Sequence, residues 1–401
     1  MQRTLISEVK KNVGTKVKID GFVQTIRDQG SIKFLMIRDI SGLIQVVVTK
    51  SNPDVLATAK TLTYESVVEI TGLAKEEKQA PGGFEIEAEN IEILSLSDPE
   101  LPIPVIEKGN QEEAEQTKRL DWRWIDLRKP KNTLVFKVWT AMESAFRQYW
   151  TENNYIEIHS PKLISTASES GAEVFEVKYF KNKAYLAQSP QFYKQMAMAS
   201  GFEKVFEVGP VFRAEPSFTS RHATEFTGYD AEISYINSHY DVMAEEEKTI
   251  EFVFKKIKEK YGNEIKNFFG KEIIVPTLPF PKISMKEAKE ILAGRGIKSE
   301  KEGDLSPEEE RAISDYVKEK HNHQFVFITE YPSSIRPFYH MRDEKNESLT
   351  KSFDLLQEGL EVTTGAQREH RYDVLIKQAK EKKMKLKSIQ FYLNFFKYGC
   401  P

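Results

Sequence analysis

The chain is poor in cysteine, with Cys400 as the only one among 401 residues. An intrachain disulfide is therefore excluded, as is a zinc site built on several thiolates. Long apolar runs are also lacking: none could cross a bilayer, and the N-terminus has no signal-peptide pattern. We therefore expect a protein of the reducing cytoplasm with no membrane partner.

The chain also lacks a strong net charge. Lysine plus arginine number 58 and aspartate plus glutamate 61, which gives a formal charge of −3. Overall charge gives no sign of a nucleic-acid partner, so any such surface has to be a local patch. Apolar residues make up 40% and charged residues 30% of the chain, as in ordinary soluble proteins, and the length suffices for two or more domains.

The first hundred residues alternate between short strand-like runs and turns. Five strands are predicted, at residues 16–24, 32–39, 43–49, 66–71 and 84–94. Short strands with regular turns are typical of a small closed barrel such as an OB-fold, which commonly stacks bases on exposed aromatic rings. Phe34 and Gln45 come from adjacent strands and could offer a stacking plane and a hydrogen-bonding edge. A position in the core is the simpler expectation for Phe34.

A linker is predicted after the barrel, where Pro102 and Pro104 precede an acidic stretch at 107–115. We place the barrel domain at residues 1–103, a hinge at 104–130 and a second domain at 131–401. Residues 255–330 carry no recognisable chemistry and are expected to form a helical insertion.

A long amphipathic helix is predicted at 132–153, and a short strand stopped by Pro161 follows it. The apolar residues at helical spacing are Val135, Val138, Met142, Phe146 and Trp150. A helix packed on a sheet explains this pattern fully.

A second helix is predicted to open at Ser189, a suitable N-cap, with Pro190 in the first turn. Gln191 and Lys194 are three residues apart and share one helix face, so they offer an amide and an ammonium to the same small ligand. Such a pair is usually exposed to solvent, and we expect the same here. The small polar stretch before this helix, at 165–171, is expected to be a loop.

A charged β-hairpin is predicted between residues 206 and 232. If Arg213 and Phe226 face the same way, a phosphate can sit on the guanidinium while a base stacks on the ring. Charges on one face are hard to explain as core because unpaired buried charges are costly. A structural ion-pair ladder is the alternative. The residues that strand alternation places together are Arg213 and Glu215 in the first strand, and Phe226, Gly228, Asp230 and Glu232 in the second.

Two further strands are predicted around a turn at 357–359. The turn can bring Asp354 and Glu361 across from each other, and two facing carboxylates repel unless a proton or a cation lies between them. With oxygen ligands and a phosphate nearby, Mg²⁺ is the natural choice. Arg368 lies seven residues beyond Glu361, so a bulge or bend is required if both face one ligand.

Several motifs, taken together and in order, resemble those of the aspartyl-tRNA synthetases of the archaeal and eukaryotic type, in class IIb. They are residues 119–128, 188–191 (Gln-Ser-Pro-Gln), 212–215 (Phe-Arg-Ala-Glu), 221–222 (Arg-His) and 365–371 (Gly-Ala-Gln-Arg-Glu-His-Arg). The resemblance implies an α+β fold: a five-stranded OB barrel for the anticodon, then an antiparallel sheet flanked by helices. The helix at 132–153 and the Pro161 region resemble motif 1, which implies a homodimer.

The resemblance also implies a role for each candidate residue. ATP would be bound by Arg213 at the α-phosphate, Glu215 at the adenine amino group, Arg221 and His222 at the terminal phosphates, Phe226 under the adenine, and Glu361. Aspartate would be bound by Glu169, Ser189, Gln191, Lys194, Asp230 and Arg368. Mg²⁺ would be held by Asp354 and Glu361, with Thr364 near it, and the middle anticodon base would be read by Phe34, Gln45 and Glu85. The catalytic residues would be Arg213, Arg368 and Lys194.

The implied activity is ATP-dependent activation of L-aspartate to aspartyl-adenylate, followed by transfer to tRNA. Lys194 and Arg368 favour aspartate over asparagine because two cations suit an anion. Relatives restricted to the aspartate tRNA often carry Trp and Lys where this chain has Gln24 and Pro81. The resemblance therefore favours an enzyme that also charges the asparagine tRNA, with a tRNA-dependent amidotransferase as partner.

The chain departs from the family at residues 396–401, where motif 3, a glycine-rich strand and helix, would continue. We therefore expect a truncated chain of poor activity, with an uncovered sheet edge and Cys400 at a frayed end. The alternatives are another class IIb synthetase (for asparagine or lysine), a synthetase-like enzyme that makes free asparagine, and a non-catalytic nucleic-acid-binding scaffold.

Overall fold

The computed structural model describes residues 1–106, 113–165, 174–214, 223–299 and 301–401. Near the N-terminus it contains β1 (Lys16–Asp28), β2 (Ile32–Arg38), β3 (Leu43–Thr49), β4 (Val67–Glu76) and β5 (Phe84–Ser95). These strands close into a barrel in the order β1-β2-β3-β5-β4. β3 and β5 pair in parallel, and the other neighbours pair antiparallel. The predicted five-stranded OB-type barrel is thus confirmed.

The barrel forms because its strands alternate apolar and polar residues, so that one face of each strand lines a shared core. Val17, Ile19 and Val23 of β1 are at most 2% exposed. Gly72 lets β4 and β5 approach closely, since a Cβ there would lie 2.2 Å from the carbonyl oxygen of Glu87. The helices beside the strands are α1 (Ile6–Val9), α2 (Pro53–Thr61) and short 3₁₀ turns at Lys10–Asn12 and Pro81–Gly83.

The barrel belongs to a compact unit that extends over Met1–Val135. The predicted hinge region holds α3 (Gln116–Asp121) and α4 (Arg123–Asp126), so part of it is helical. The fully buried Asp126 carboxylate lies 3.1 Å from Nε of Arg119 and 3.2 Å from Nη1 of Arg123. This cationic cage fixes α3 and α4 locally, because a buried carboxylate needs such partners. The domain limits of the sequence analysis stay a prediction.

The second compact unit covers Phe136–Pro401. Its helices pack on short sheets, and α5 starts in the first unit. The helices are α5 (Pro130–Glu152), α6 (Gln191–Ala199), α7 (His239–Phe269), α8 (Met285–Gly294), α9 (Pro307–His321), α10 (Tyr372–Glu381) and α11 (Gln390–Lys397), with a 3₁₀ turn at Leu386–Ile389. None of the helices in the described ranges is long and apolar enough to span a membrane.

The strands of this unit form three groups. They are β6 (Ile156–Glu157), β7 (Leu163–Ile164), β8 (Glu176–Tyr179), β9 (Asn182–Leu186), β10 (Lys204–Phe212), β11 (Glu225–Ile233), β12 (Lys282–Ser284), β13 (Phe325–Thr329), β14 (Ser352–Gln357) and β15 (Leu360–Ala366). The sheet orders are β11-β10-β6, β12-β13-β14-β15 and β7-β9-β8. Most neighbours are antiparallel, while β6 pairs in parallel with β10 and β12 pairs in parallel with β13. The α+β class is confirmed, and β15 lies at a sheet edge.

The predicted helical insertion at 255–330 is not purely helical. It includes β12 and β13, and β13 pairs with both β12 and β14 inside a four-stranded sheet. The five residues of β13 are all buried. Their aromatic and β-branched side chains suit a central strand, but a run this short is ambiguous between strand and buried helix. The helical prediction is wrong for these strands.

His239 makes stability depend on pH. It begins α7 and is 8% exposed. Burial, then the charge of Lys351, lowers the pKa of His239 from 6.5 to about 4. Between these values the unfolded chain binds a proton that the folded protein does not, so stability is present above pH 6.5 and is lost as pH falls toward 4.

We expect the substitution His239→Gln to flatten this dependence, with a difference from wild type of up to about 3 kcal/mol across the window. Urea unfolding at several pH values between 4 and 7 would measure it. Parallel pH curves for the two proteins would contradict the prediction.

Candidate active site

The hairpin of β10 and β11 presents an aromatic ring and a guanidinium together. Val211 pairs with Phe226, and the Arg213 amide donates to the carbonyl oxygen of Thr224 at 2.9 Å. Alternation therefore puts Arg213 on the same face as Phe226. The guanidinium carbon lies 5.3 Å from the ring centroid, and Phe226 is 38% exposed. The condition set by the sequence analysis, that both residues face the same way, is met, and the pair is open to a ligand.

The helix that carries Gln191 and Lys194 starts one residue later than predicted. Pro190, not Ser189, is the N-cap of α6, while Ser189 Oγ still accepts the Gln191 amide hydrogen bond at 3.1 Å. Gln191 and Lys194 are each 4% exposed. The expected solvent exposure of this pair is therefore wrong, because α6 turns this face onto β11.

The Lys194 ammonium lies between two carboxylates of β11. Its Nζ is 3.0 Å from Oδ1 of Asp230 and 3.4 Å from Oε2 of Glu232. Burial disfavours the charged amine, but the attraction of Asp230 and Glu232 outweighs it and raises the pKa of Lys194. Lys194 is thus a buried, permanently charged cation at neutral pH.

Arg368 forms the second cation of this cluster. Its Nη2 donates to Oε1 of Gln191 at 2.8 Å, and its Nε lies 3.5 Å from Oε1 of Glu232. Its Nη1 is 2.7 Å from Nε2 of His340. Because a guanidinium only donates, His340 accepts at Nε2 and carries its proton on Nδ1. Burial, then Arg368, lowers the pKa of His340 well below its usual value, so the ring stays neutral.

These side chains form one cluster in which positive and negative charges balance. Lys194 and Arg368 are matched by Asp230 and Glu232, and the Gln191 amide also donates to both Glu232 oxygens at 3.2 Å. An incoming ligand must therefore compete for partners that already exist. A pocket that is open to solvent borders Glu232 and Arg368.

Cys400 also lines this pocket, together with Phe396 and Pro401. The expected frayed position of Cys400 is wrong, because the residue is partly buried and packs against Met198 and the core around α11. Burial, then Glu232, raises the pKa of the Cys400 thiol to about 11, so the thiol is neutral.

The hairpin of β14 and β15 carries the predicted metal ligands. Asp354 pairs with Thr364 and Leu356 pairs with Glu361, which leaves Val362 as an extra residue in β15. The sequence analysis expected Asp354 and Glu361 to lie directly across from each other. In the structure they are diagonal neighbours instead. The bulge brings Glu361 and Thr364 to one face. A bulge or bend of this kind is what the sequence analysis required if Glu361 and Arg368 are to face one ligand.

The acidic pair on this face fits a divalent cation. Asp354 is 4% exposed, and its Oδ1 has no hydrogen-bond partner among the described residues. Loss of hydration around its carboxyl, then repulsion from Asp354, raises the pKa of Glu361 to about 8, although the residue as a whole is exposed. A cation between the two carboxylates would relieve this repulsion.

The barrel carries a separate candidate surface. Phe34 is half-buried on the outer face of β2, with the Arg27 guanidinium carbon 4.4 Å from its ring centroid. The simpler expectation of a core position is wrong, because Leu35 and Ile37 take the inward positions. The Gln45 amide donates to Oε2 of Glu85 at 2.8 Å across the β3–β5 pair.

Four predicted residues cannot be placed. Glu169, Glu215, Arg221 and His222 lie outside the described residues. Their assignments stay predictions.

Comparison with known proteins decides the family. Residues 115–401 match the tRNA synthetases class II (D, K and N), and residues 17–94 match the OB-fold nucleic acid binding domain. The chain belongs to the class II tRNA synthetases of the D, K and N group.

Individual relatives resemble this synthetase over nearly its whole length. The chain is 43% identical to the aspartate–tRNA(Asp/Asn) ligase of Aeropyrum pernix, over 99% of this chain and 90% of the relative. It is 40% identical to the aspartate–tRNA(Asp) ligase of Pyrococcus abyssi, over 98% and 90%. Among solved structures, the asparaginyl-tRNA synthetase of Pyrococcus horikoshii complexed with asparaginyl-adenylate matches with a TM-score of 0.90 and 33% identity, over 100% of this chain and 91% of that one.

Three residues that contact the predicted site residues were missed by the sequence analysis. Glu232 had been placed on the shared face of β11 without a role, and its position two residues from Asp230 was the available signal. His340 and Arg336 come from the loop after β13, and no spacing in the sequence connects them to Arg368 or Asp354. Only tertiary contacts reveal them.

Proposed function

We propose that this chain is an aspartate–tRNA ligase that charges both the aspartate and the asparagine tRNA. The observation that carries the choice of aspartate is a pair of cations, the buried Lys194 and the partly buried Arg368, that both contact the carboxylate of Glu232. A side-chain carboxylate can bind two charged donors, whereas the neutral amide of asparagine would leave their charge unmatched.

Binding of aspartate would rearrange the charge balance of the cluster. In the proposed complex the substrate ammonium pairs with Asp230, which now holds Lys194 at 3.0 Å. Lys194 then turns to the substrate carboxylate together with Arg368. Gln191 and Ser189 would orient the backbone end of the amino acid, and Glu169 would add a second carboxylate near the ammonium. The exchange keeps every buried charge paired.

The nucleotide would lie on the face shared by Arg213 and Phe226. Stacking on the ring positions adenine while the guanidinium neutralises the α-phosphate. The aspartate α-carboxylate then attacks the α-phosphorus, pyrophosphate leaves, and the terminal ribose hydroxyl of tRNA takes the aspartyl group. The protein supplies position and charge rather than a covalent nucleophile. Glu215, Arg221 and His222 are assigned to adenine and the terminal phosphates.

Asp354, Glu361 and Thr364 would hold Mg²⁺. Bound there, the ion would offset charge on the phosphate oxygens as a Lewis acid. The support for this assignment is the buried, unpaired Oδ1 of Asp354 and the repulsion between Asp354 and Glu361.

The barrel would read the anticodon through Phe34, Gln45 and Glu85. Gln24 and Pro81, in place of the larger residues of restricted relatives, support charging of two tRNAs, and a tRNA-dependent amidotransferase would then convert aspartate on the asparagine tRNA. The relative in Aeropyrum pernix carries both tRNAs in its name.

We expect Glu85→Gln to raise KM for tRNA about tenfold, a loss typical of one recognition contact. Aspartate-dependent exchange without tRNA should not change. Glu89→Gln is the matched control, because Glu89 lies in the same strand and pairs with Lys16 at the surface. An unaltered KM for tRNA in the Glu85 variant would contradict the anticodon assignment.

A cytoplasmic homodimer through α5 and the Pro161 region completes the proposal. Phe136 and Trp139 of α5 are 41% and 55% exposed and pack edge to face at 5.2 Å. Exposed aromatic pairs of this kind are typical of protein interfaces.

The proposal is tested by charging both tRNAs with labelled aspartate, using this chain. Aspartate on both tRNAs supports the proposal in full. Aspartate on its own tRNA alone contradicts the relaxed specificity, and asparagine or lysine as the preferred substrate contradicts the choice of amino acid.

A further inference from the structure

A guanidinium already occupies part of the predicted cation site. Arg336 Nη2 donates to Oδ2 of Asp354 at 2.5 Å, and Nη1 donates to Oγ1 of Thr364 at 3.3 Å. The side chain of Arg336 is only 14% exposed. One residue therefore contacts two of the three predicted metal ligands.

The position of Arg336 is fixed by its surroundings. Its guanidinium carbon lies 3.7 Å from the ring centroid of Tyr331, which is 2% exposed. The loop that carries it is held from outside by Lys382, whose Nζ donates to the carbonyl oxygen of Ser334 at 2.6 Å. Such anchoring keeps the guanidinium beside Asp354 rather than in solvent.

The contacts of Arg336 leave one carboxylate oxygen of Asp354 for an incoming ion. Oδ2 of Asp354 is taken by the guanidinium, while the buried Oδ1 has no hydrogen-bond partner among the described residues. A divalent ion bound there would gain the attraction of Asp354 and Glu361, but it would also meet the fixed positive charge of Arg336. In a partly desolvated site that repulsion is substantial.

We propose that Arg336 is a resident counter-charge of the metal site: it neutralises Asp354 in the absence of metal and weakens the binding of a free divalent ion. The ion then binds well only together with a polyphosphate, whose negative charge offsets Arg336. This rests on the proposed function and extends it, since it makes the metal–nucleotide complex, rather than the ion alone, the preferred ligand.

The sign of one change in affinity tests the proposal. For Arg336→Gln we expect the affinity for Mn²⁺ alone, measured by electron paramagnetic resonance or calorimetry, to rise about tenfold because a nearby positive charge is lost. The metal-free melting temperature should fall, since Asp354 and Glu361 lose their counter-charge. If Arg336 merely held Asp354 in place, the affinity would fall or stay the same, and either result overturns the proposal.

Two further variants locate and control the effect. Arg336→Lys keeps the charge and should bind Mn²⁺ as weakly as wild type, so tight binding by this variant overturns the proposal even if the Gln variant fails to fold. Adding Asp354→Asn to Arg336→Gln should abolish the gain in Mn²⁺ affinity. A gain that persists would place the metal elsewhere and overturn the proposal.

A non-hydrolysable ATP analogue should raise Mn²⁺ affinity more in wild type than in Arg336→Gln. Because Mn²⁺ binding is read without catalysis, failure here is distinguishable from failure of the aspartate–tRNA ligase assignment.

Discussion

Replacing Arg368 by glutamine is expected to lower kcat/KM for aspartate by about 10² to 10⁴, the range for truncating one partner of a buried charged hydrogen bond. Arg368 donates to Gln191 at 2.8 Å and lies 3.5 Å from Glu232, so its loss removes a substrate donor and also loosens the amide beside it. KM for ATP should change much less, because the residues assigned to the nucleotide, Arg213 and Phe226, belong to the hairpin of β10 and β11. Steady-state pyrophosphate exchange with aspartate and ATP varied in turn measures both.

Arg295→Gln is the matched control for this substitution. Arg295 directly follows α8 and pairs with Glu319, whose side chain is 58% exposed. We expect its exchange kinetics to stay within about threefold of wild type, since surface ion pairs contribute little. Equal losses in the two variants would show that the effect of Arg368 is not specific to the site.

Replacing Lys194 by methionine is expected to destabilise the protein by about 3–5 kcal/mol and to abolish measurable aspartate activation. The methionine fills much of the space, but Asp230 and Glu232 are left facing each other without the cation that lies 3.0 and 3.4 Å from them. Uncompensated buried charge is the costly part of such a substitution. Urea unfolding gives the stability, and exchange on the folded fraction gives the activity.

Lys183→Met controls for the loss of a lysine as such. Lys183 pairs with Glu176 at 3.0 Å, but its side chain is 70% exposed. The stability should change by less than about 1 kcal/mol. A Lys194 variant as stable as this control would mean that Asp230 and Glu232 do not depend on Lys194, and the charge-balanced cluster would be contradicted.

The strands and their faces could be predicted because alternation has a fixed period of two. The placement of Asp230 with Glu232 follows from that period, whereas the placement of Arg213 with Phe226 also depends on the register of the hairpin, which only the structure supplies. The bulge before Arg368 was also implied, because residues 361 and 368 could not otherwise share a face.

Burial and long-range partners could not be predicted in the same way. Gln191 and Lys194 look like surface residues in their own helix, and only the packing of α6 on β11 buries them. Phe34 was assigned to the core because aromatic residues usually are buried, but the register of β2 turns it outward. Arg336 lies 18 residues from Asp354, in a loop whose path no local pattern fixes.

The charge balance of the cluster implies that it does not bind every anion equally well. Each of the two cations already has a carboxylate partner, so the free cluster is close to neutral. A dicarboxylate that lacks an ammonium group cannot pair with Asp230, so Lys194 would stay bound to Asp230. We therefore expect such a dicarboxylate to bind more weakly than aspartate. Recognition depends on the amino group and the side-chain carboxylate together.

The most direct test of the central claim is aspartate-dependent ATP–pyrophosphate exchange, measured on this chain with asparagine and lysine in parallel. We predict exchange with aspartate that is lost in the Arg368→Gln variant and retained in Arg295→Gln. No exchange with aspartate, or faster exchange with asparagine or lysine, would contradict the assignment of Lys194 and Arg368 as the aspartate site.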